Sequence, residues 1–143
     1  MTDSSTQAVS PSLLAPAIVE AAARAQIGVL VTAGAGSERR YEFVSSYAAE
    51  LAGTTTAELE GSQPSAIFPE VRRSEIEDWR DCRVLGQTAP NALETELCRA
   101  AGERVPVRNA SSRALSNGTP VLVEFLVDSR ESRRAELELS RSE

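Results

Sequence analysis

Carboxylates are the side chains best suited to acid–base chemistry in this sequence, because the chain contains neither histidine nor lysine. All fifteen basic residues are arginine. Nucleophiles activated by histidine, phosphate-binding loops that need a lysine and lysine Schiff bases are therefore excluded from these residues. Zinc and haem sites that need a histidine ligand, and a phosphoaccepting histidine, are excluded as well.

Three glutamates lie in stretches of strand-like sequence: Glu94, Glu96 and Glu124. Two carboxylates can act as general acid and general base when burial separates their pKa values, so a small enzyme built on this group is one hypothesis. Each glutamate alternates with apolar neighbours such as Leu97 and Phe125, which is typical of a half-exposed strand. The pattern favours solvated glutamates over a catalytic group.

Four arginines lie on neighbouring predicted strands: Arg99, Arg104, Arg108 and Arg113. A cluster of guanidinium groups can bind a carboxylate through paired hydrogen bonds, so an acidic ligand is one interpretation. Charged residues on the solvated outer face of a sheet are the simpler one.

The bulk properties indicate a single acidic, cytosolic domain. The 143 residues fit one domain, and the net charge of -6 argues against a nucleic-acid partner. Cys82 and Cys98 lack metal-binding spacing, which favours two buried thiols in a reducing compartment. The chain has no apolar run of the ~18 residues that a membrane span needs, and residues 1–10 lack the pattern of a signal peptide.

Hydrophobic periodicity predicts the elements that must position these side chains. Their order indicates an α+β domain with a five-stranded antiparallel sheet and helices on one face, although periodicity does not give the strand order. The predicted segments are a disordered tail at 1–11, an amphipathic helix at 12–26, strands at 27–32 and 41–45, short helices at 46–53 and 54–61, a longer helix at 71–85, strands at 91–99, 104–115 and 119–127, and a charged helix at 129–143.

Five short motifs in this order resemble those of PAS domains, over about residues 18–139. They are the strand-to-helix segment 41–53, the "eEL-G"-like 56–61, the "hPeD"-like 68–70, the "dGr-vpV"-like hairpin 101–107 and the "DITERK"-like ending 127–133. The resemblance implies a PAS domain at 27–128 with a sensory or regulatory role. Two departures are Ser45, where the family usually has an asparagine, and Ser129-Arg130 in place of the usual Ile-Thr.

The resemblance also limits the cofactor. Light-sensing flavin members carry a reactive cysteine, and Pro64 stands at the matching position, so a cysteinyl–flavin adduct is excluded. Histidine-ligated haem is excluded too, which leaves a noncovalent small molecule or no ligand. Residues that could line a pocket, or form a plain apolar core instead, are Leu30, Phe43, Phe68, Trp79, Leu85, Cys98 and Val107.

The two ends of the chain suggest how such a module would work. Leu14, Ile18 and Ala22 share one face of the first helix, which predicts a homodimer contact. Asp128 and Arg130 start the terminal helix, which resembles the signalling linker of sensor histidine kinases and shows no stop signal, so we expect an effector domain to follow. The leading hypothesis is the non-catalytic input module of a bacterial two-component kinase. The alternative from another class is a ligand-free docking module that binds a partner protein.

Overall fold

A computed structural model describes residues 11–142 of the chain. The predicted disordered tail, residues 1–11, lies outside the described residues except for Pro11, where the first helix begins. Within the described residues, the elements are α1 (Pro11–Arg24), β1 (Ile27–Ala33), β2 (Arg40–Val44), α2 (Ser46–Leu51), α3 (Thr56–Glu60), α4 (Glu70–Leu85), β3 (Ala92–Cys98), β4 (Arg104–Ser116), β5 (Thr119–Asp128) and α5 (Arg130–Ser142), with short 3-10 turns at Gly36–Glu38 and Pro64–Ile67.

The five strands form one antiparallel sheet in the order β2-β1-β5-β4-β3. This confirms the predicted α+β class and adds the strand order. The first strand lies beside the last one in the middle of the sheet, with Val29 opposite Phe125. Because β1 and β5 are both central, the chain reaches its two terminal helices from neighbouring strands.

Local hydrogen bonds set the boundaries of the short helices. The hydroxyl of Ser45 accepts from the backbone N–H of Ala48, which caps α2, and from the N–H of Val29 on β1. Ser45, which stands where PAS domains usually have an asparagine, therefore both caps the helix and binds the sheet. Thr55 caps α3 in the same way, by accepting from the N–H of Glu58.

The main core lies between one face of the sheet, called here the inner face, and α2, α3 and α4. Its members are aliphatic or aromatic side chains at alternate strand positions and on the facing helices. They include Leu30, Val44, Leu97, Val105, Val107 and Leu126 from the strands, and Ala48, Leu51, Leu59, Ile67, Phe68 and Ile76 from the helical side.

The helix α1 lies against the opposite, outer face of the sheet. Its residues Ile18, Val19 and Ala23 form one wall of a groove whose other wall includes Val29 and Phe125. The sheet is thus covered on its inner face by α2, α3 and α4, and only partly on its outer face by α1. In the described part of the chain, no helix is long and apolar enough to cross a membrane.

Candidate functional site

Two fully buried charged side chains face each other at the centre of the inner face. Arg80 comes from α4 and Glu124 from β5, and both side chains have 0% exposure. The guanidinium donates to Glu124 Oε1 from Nη2 at 2.9 Å and from Nε at 3.1 Å. Removing two charges from water costs several kcal/mol per ion, so an arrangement of this kind persists only with close pairing and additional hydrogen bonds.

The additional hydrogen bonds come from both neighbouring strands. Thr32 on β1 donates its hydroxyl proton to Glu124 Oε2 at 2.9 Å, and Asn109 on β4 donates from Nδ2 to Glu124 Oε1 at 3.2 Å. The guanidinium carbon of Arg80 lies 5.3 Å from the centre of the Phe68 ring, within range of a cation–π contact. Both carboxylate oxygens of Glu124 are therefore hydrogen-bonded, and three strands and one helix meet at this group.

A second ion pair extends the network toward the surface. Arg39, which precedes β2, donates from Nη2 to Asp81 Oδ1 at 2.6 Å and from Nη1 to Thr32 Oγ1 at 3.2 Å. Asp81 also accepts from the backbone N–H of Gly36 at 3.2 Å. The consecutive α4 residues Arg80 and Asp81 thus bind β5 and the β1–β2 connection, respectively, and Thr32 joins the two pairs. We call the group of side chains that these hydrogen bonds connect the interior charge network. Its members are Arg39, Thr32, Arg80, Asp81, Asn109 and Glu124.

The interior charge network is suited to holding elements together and not to acid–base catalysis. Arg80 and Glu124 both have 0% side-chain exposure, so neither charged group is accessible to a substrate. The predicted group of three glutamates is not assembled, because Glu94 is exposed and Glu96 is half-buried while Glu124 is fully buried. The prediction that Glu124 is solvated is therefore wrong. The described residues also contain no cluster of His, Cys, Asp or Glu able to hold a metal.

The sequence contained a signal for this network that the prediction missed. Residues two apart on a strand share a face, so the neighbours that matter for Glu124 are Leu122 and Leu126, both fully buried. In α4, Arg80 lies one turn from both Ile76 and Val84, which are buried as well. A single acidic residue and a single basic residue, each flanked by buried apolar residues on the same face of its element, indicate a buried ion pair.

Four of the predicted pocket residues are buried. Leu30, Phe68 and Val107 are 0% exposed and belong to the core next to the charge network. Trp79 is also buried, and its indole Nε1 donates to the carbonyl of Pro90 at 2.7 Å, which attaches the loop after α4.

The other three predicted pocket residues do not line the interior. Phe43 is 40% exposed on the outer face, because an irregularity between Val31 and Thr32 shifts the register so that Tyr41 and Val44 are the buried β2 residues. Leu85 is 67% exposed at the end of α4, about 100° around the helix from its inward neighbour.

Cys98, the remaining member, is half-buried and lines a shallow pocket of about 300 Å³ beside α3. Both cysteines of the chain are free thiols, and both are half-buried, whereas the sequence predicts buried thiols.

The four arginines that suggested an acidic ligand do not form one cluster. Arg104 and Arg108 are exposed, in agreement with a solvated face. Arg99 instead donates from Nε to the Leu51 carbonyl at 3.0 Å at the end of α2, and Arg113 donates to the Val84 carbonyl at 2.9 Å in α4. These two side chains attach the sheet to helices.

The groove between α1 and the outer face is apolar and has a volume of about 720 Å³. Its sheet wall is formed by Val29, Val31, Phe43, Val123 and Phe125. Two of the predicted dimer residues remain substantially exposed, Leu14 at 44% and Ile18 at 50%, whereas Ala22 is half-buried. The helix therefore has apolar surface on more than one side.

The corner where β5 passes into α5 is held by hydrogen bonds to three parts of the chain. Asp128 accepts the backbone N–H of Arg130 at 3.0 Å, and its Oδ2 pairs with Arg130 Nη2 at 2.7 Å. These hydrogen bonds from Arg130 hold the pKa of Asp128 below its ordinary value. The backbone N–H of Asp128 donates to the carbonyl of Gln26, and that of Ser129 donates to the carbonyl of Pro106.

Replacing Glu124 tests whether the buried pair is as tightly coupled as the geometry indicates. We expect Glu124→Ala to lower the free energy of unfolding by about 3–5 kcal/mol, because Arg80 is left as an unpaired buried charge. The double variant Arg80→Met with Glu124→Leu should recover most of that loss, since it removes both charges. The control Glu20→Gln breaks an exposed pair with Arg24 and should change stability by less than about 0.5 kcal/mol.

Urea unfolding monitored by the fluorescence of Trp79 measures these differences. A double variant as unstable as Glu124→Ala would contradict the pairing.

Comparison with known proteins gives structural matches only: no family model and no curated protein sequence matches the chain. A PAS domain from Desulfitobacterium hafniense is 17% identical with a TM-score of 0.60, over 72% of this chain and 92% of that one. A sensory box histidine kinase/response regulator from Burkholderia thailandensis is 16% identical with a TM-score of 0.61, over 86% and 93%. A light-oxygen-voltage domain studied with a flavin analogue is 15% identical with a TM-score of 0.60, over 88% and 95%. At this level of identity the agreement concerns the fold, and the chain has the fold of PAS domains.

Proposed function

We propose that the chain is a sensory or regulatory PAS module of a cytosolic signalling protein, which passes a change in its sheet to a following effector domain through α5. The observation that carries the proposal is the corner at Asp128. There the end of the central strand β5, the turn between α1 and β1 at Gln26 and the β4 residue Pro106 are joined by backbone hydrogen bonds at the start of α5. A displacement of the sheet at this corner changes the direction in which α5 leaves the domain.

We further propose that the parent protein is a bacterial two-component sensor histidine kinase. The support is the similarity in fold to domains from proteins described as sensory box histidine kinases, together with the charged helix after β5. The segment itself would not be catalytic, because a phosphoaccepting histidine is absent from its sequence. Phosphorelay chemistry would belong to the rest of the parent chain.

A flavin does not fit the interior as it is folded. The thiol position of light-sensing members is Pro64, and Phe68, Arg80 and Glu124 fill the space between α4 and β5 with 0% exposure. An aromatic ring system placed there would separate Arg80 from Glu124 and leave two unpaired buried charges, at a cost of several kcal/mol. This packing favours the docking alternative, in which the signal is a partner protein, over a large interior cofactor.

The first helix supports the proposal of a homodimer. Within Pro11–Arg24 the charged residues are Glu20 and Arg24, which pair with each other on the exposed side. A helix that is apolar around most of its circumference is normally covered on more than one side. The sheet covers one side of α1, and a second copy of the chain is the partner we propose for the exposed Leu14 and Ile18.

Placing a charge on this face should abolish the dimer. We expect Ile18→Glu to shift the chain from dimer to monomer, since a carboxylate in an apolar contact must be desolvated without a partner. Size-exclusion chromatography with light scattering measures the mass. The control Val71→Glu changes an apolar residue with 89% exposure on α4 and should leave the dimer intact. A monomeric wild-type parent protein would contradict the proposal.

Asp128→Asn in the full-length parent protein tests the output through α5. We expect at least about a threefold change in autophosphorylation, because the variant weakens the charge-assisted contact with Arg130 at the start of α5. The matched control Glu42→Gln removes a carboxylate from the exposed pair with Arg40 and should leave the rate unchanged. Equal rates for both variants would contradict the proposed output through α5, and a parent chain without a phosphoaccepting histidine would contradict the kinase proposal.

The same contact has a defined pH dependence. Because the folded pKa of Asp128 lies below its unfolded value, its contribution is complete above the unfolded pKa and is lost as the pH falls through the folded pKa. Assays near neutral pH therefore compare the Asp128→Asn variant with a protein in which Asp128 is fully ionised.

A further inference from the structure

We propose that the Arg80–Glu124 pair is a latch through which movement of α4 reaches the start of α5. This inference rests on the proposed role of α5 as the output, and adds the route by which a signal arrives there. It requires that α4 holds β5 directly, that the same strand holds α5, and that the connection breaks in an all-or-none manner.

The first requirement is met by Arg80. In the described part of the chain, the hydrogen bonds that join α4 to β5 run from Arg80 to Glu124. Other polar links from α4 to the sheet end on β4 and β3. Arg83 donates to the side chain and carbonyl of Ser111 at 3.0 and 2.7 Å, and the Val84 carbonyl accepts from Arg113. Arg72, near the start of α4, donates to the Glu94 carbonyl on β3 at 3.4 Å. Replacing Arg80 therefore removes the hydrogen bonds from α4 to β5 and leaves the arginine-mediated hydrogen bonds from α4 to β4 in place.

The second requirement is met by the spacing along β5. Glu124 and Asp128 are four residues apart on the same face of the strand, about 13 Å along its axis. Glu124 holds α4 through Arg80, and Asp128 holds α5 through Arg130. One extended strand, hydrogen-bonded on both sides to β1 and β4, thus carries both attachments, so a shift of β5 along its axis moves them together.

The third requirement follows from burial. At 0% exposure, neither charge is solvated if the pair separates slightly, so intermediate positions are unfavourable. The adjacent Asp81 pairs with Arg39, and the two contacts, made with opposite charges on consecutive residues, fix the rotation of α4 about its axis. A partner that rotates or withdraws α4 must break the pair as a unit.

Amide hydrogen exchange of the whole chain tests the latch. The probes are the hydrogen-bonded backbone amides of the corner, at Asp128, Ser129 and Arg130. We expect Arg80→Met to raise their exchange rates by about tenfold, the size of a typical coupling between two sites. Arg83→Met removes an arginine of the same helix that binds β4, and should raise exchange in α4 while leaving the corner amides within about twofold.

Equal effects of the two variants at the corner would overturn the latch, as would an unchanged corner in Arg80→Met. If Arg80→Met does not fold, the coupling is measured from the other end, because it is reciprocal. Asp128→Asn should then raise exchange of the α4 amides around Arg80 more than of those around Arg72, and uniform α4 exchange would overturn the latch. If the exchange rates change as expected but Asp128→Asn leaves the kinase activity unchanged, the proposed output through α5 is refuted and the latch is not.

Discussion

The structure depends on one buried ion pair whose charges must be satisfied inside an apolar layer. Once Glu124 is buried on a central strand, its two oxygens require donors, and these come from α4, β1 and β4 through Arg80, Thr32 and Asn109. The hydrogen bonds fix the height and rotation of α4 above the sheet. Phe68 in turn packs against the guanidinium, which brings the segment before α4 into the same layer.

This constraint assigns different roles to the two faces of the sheet. The inner face is occupied by the core and the charge network, so we propose that a flat cofactor does not bind there unless the pair separates. The outer face is apolar beneath α1 and remains partly open, with Phe43 and Phe125 about 40% and 39% exposed. A module built in this way would receive its signal through surface contacts and pass it on through the corner where α1 and α5 meet the sheet.

The sequence predicted the elements well and the site poorly, for physical reasons. Strand and helix periodicity is a local property of the sequence, so the five strands and the helices could be predicted directly. Strand order and the irregularity that turns Phe43 outward depend on pairing between distant segments, which periodicity does not contain. The apolar residues adjacent to Glu124 point to the opposite face of β5, whereas Leu122 and Leu126 share its face and are buried, so the alternation around Glu124 does not by itself indicate exposure. The exposure of Leu85 follows from its position beside Val84 at the end of α4.

We propose that the interior is filled by the chain's own ion pair and that the module works without a large interior cofactor. Native mass spectrometry of the freshly purified parent protein tests this proposal. We expect the mass of the polypeptide, or of its dimer, without an added flavin or haem, and the same mass after denaturation once the dimer is separated. A stoichiometric bound mass that is released on denaturation, together with visible absorbance, would contradict it.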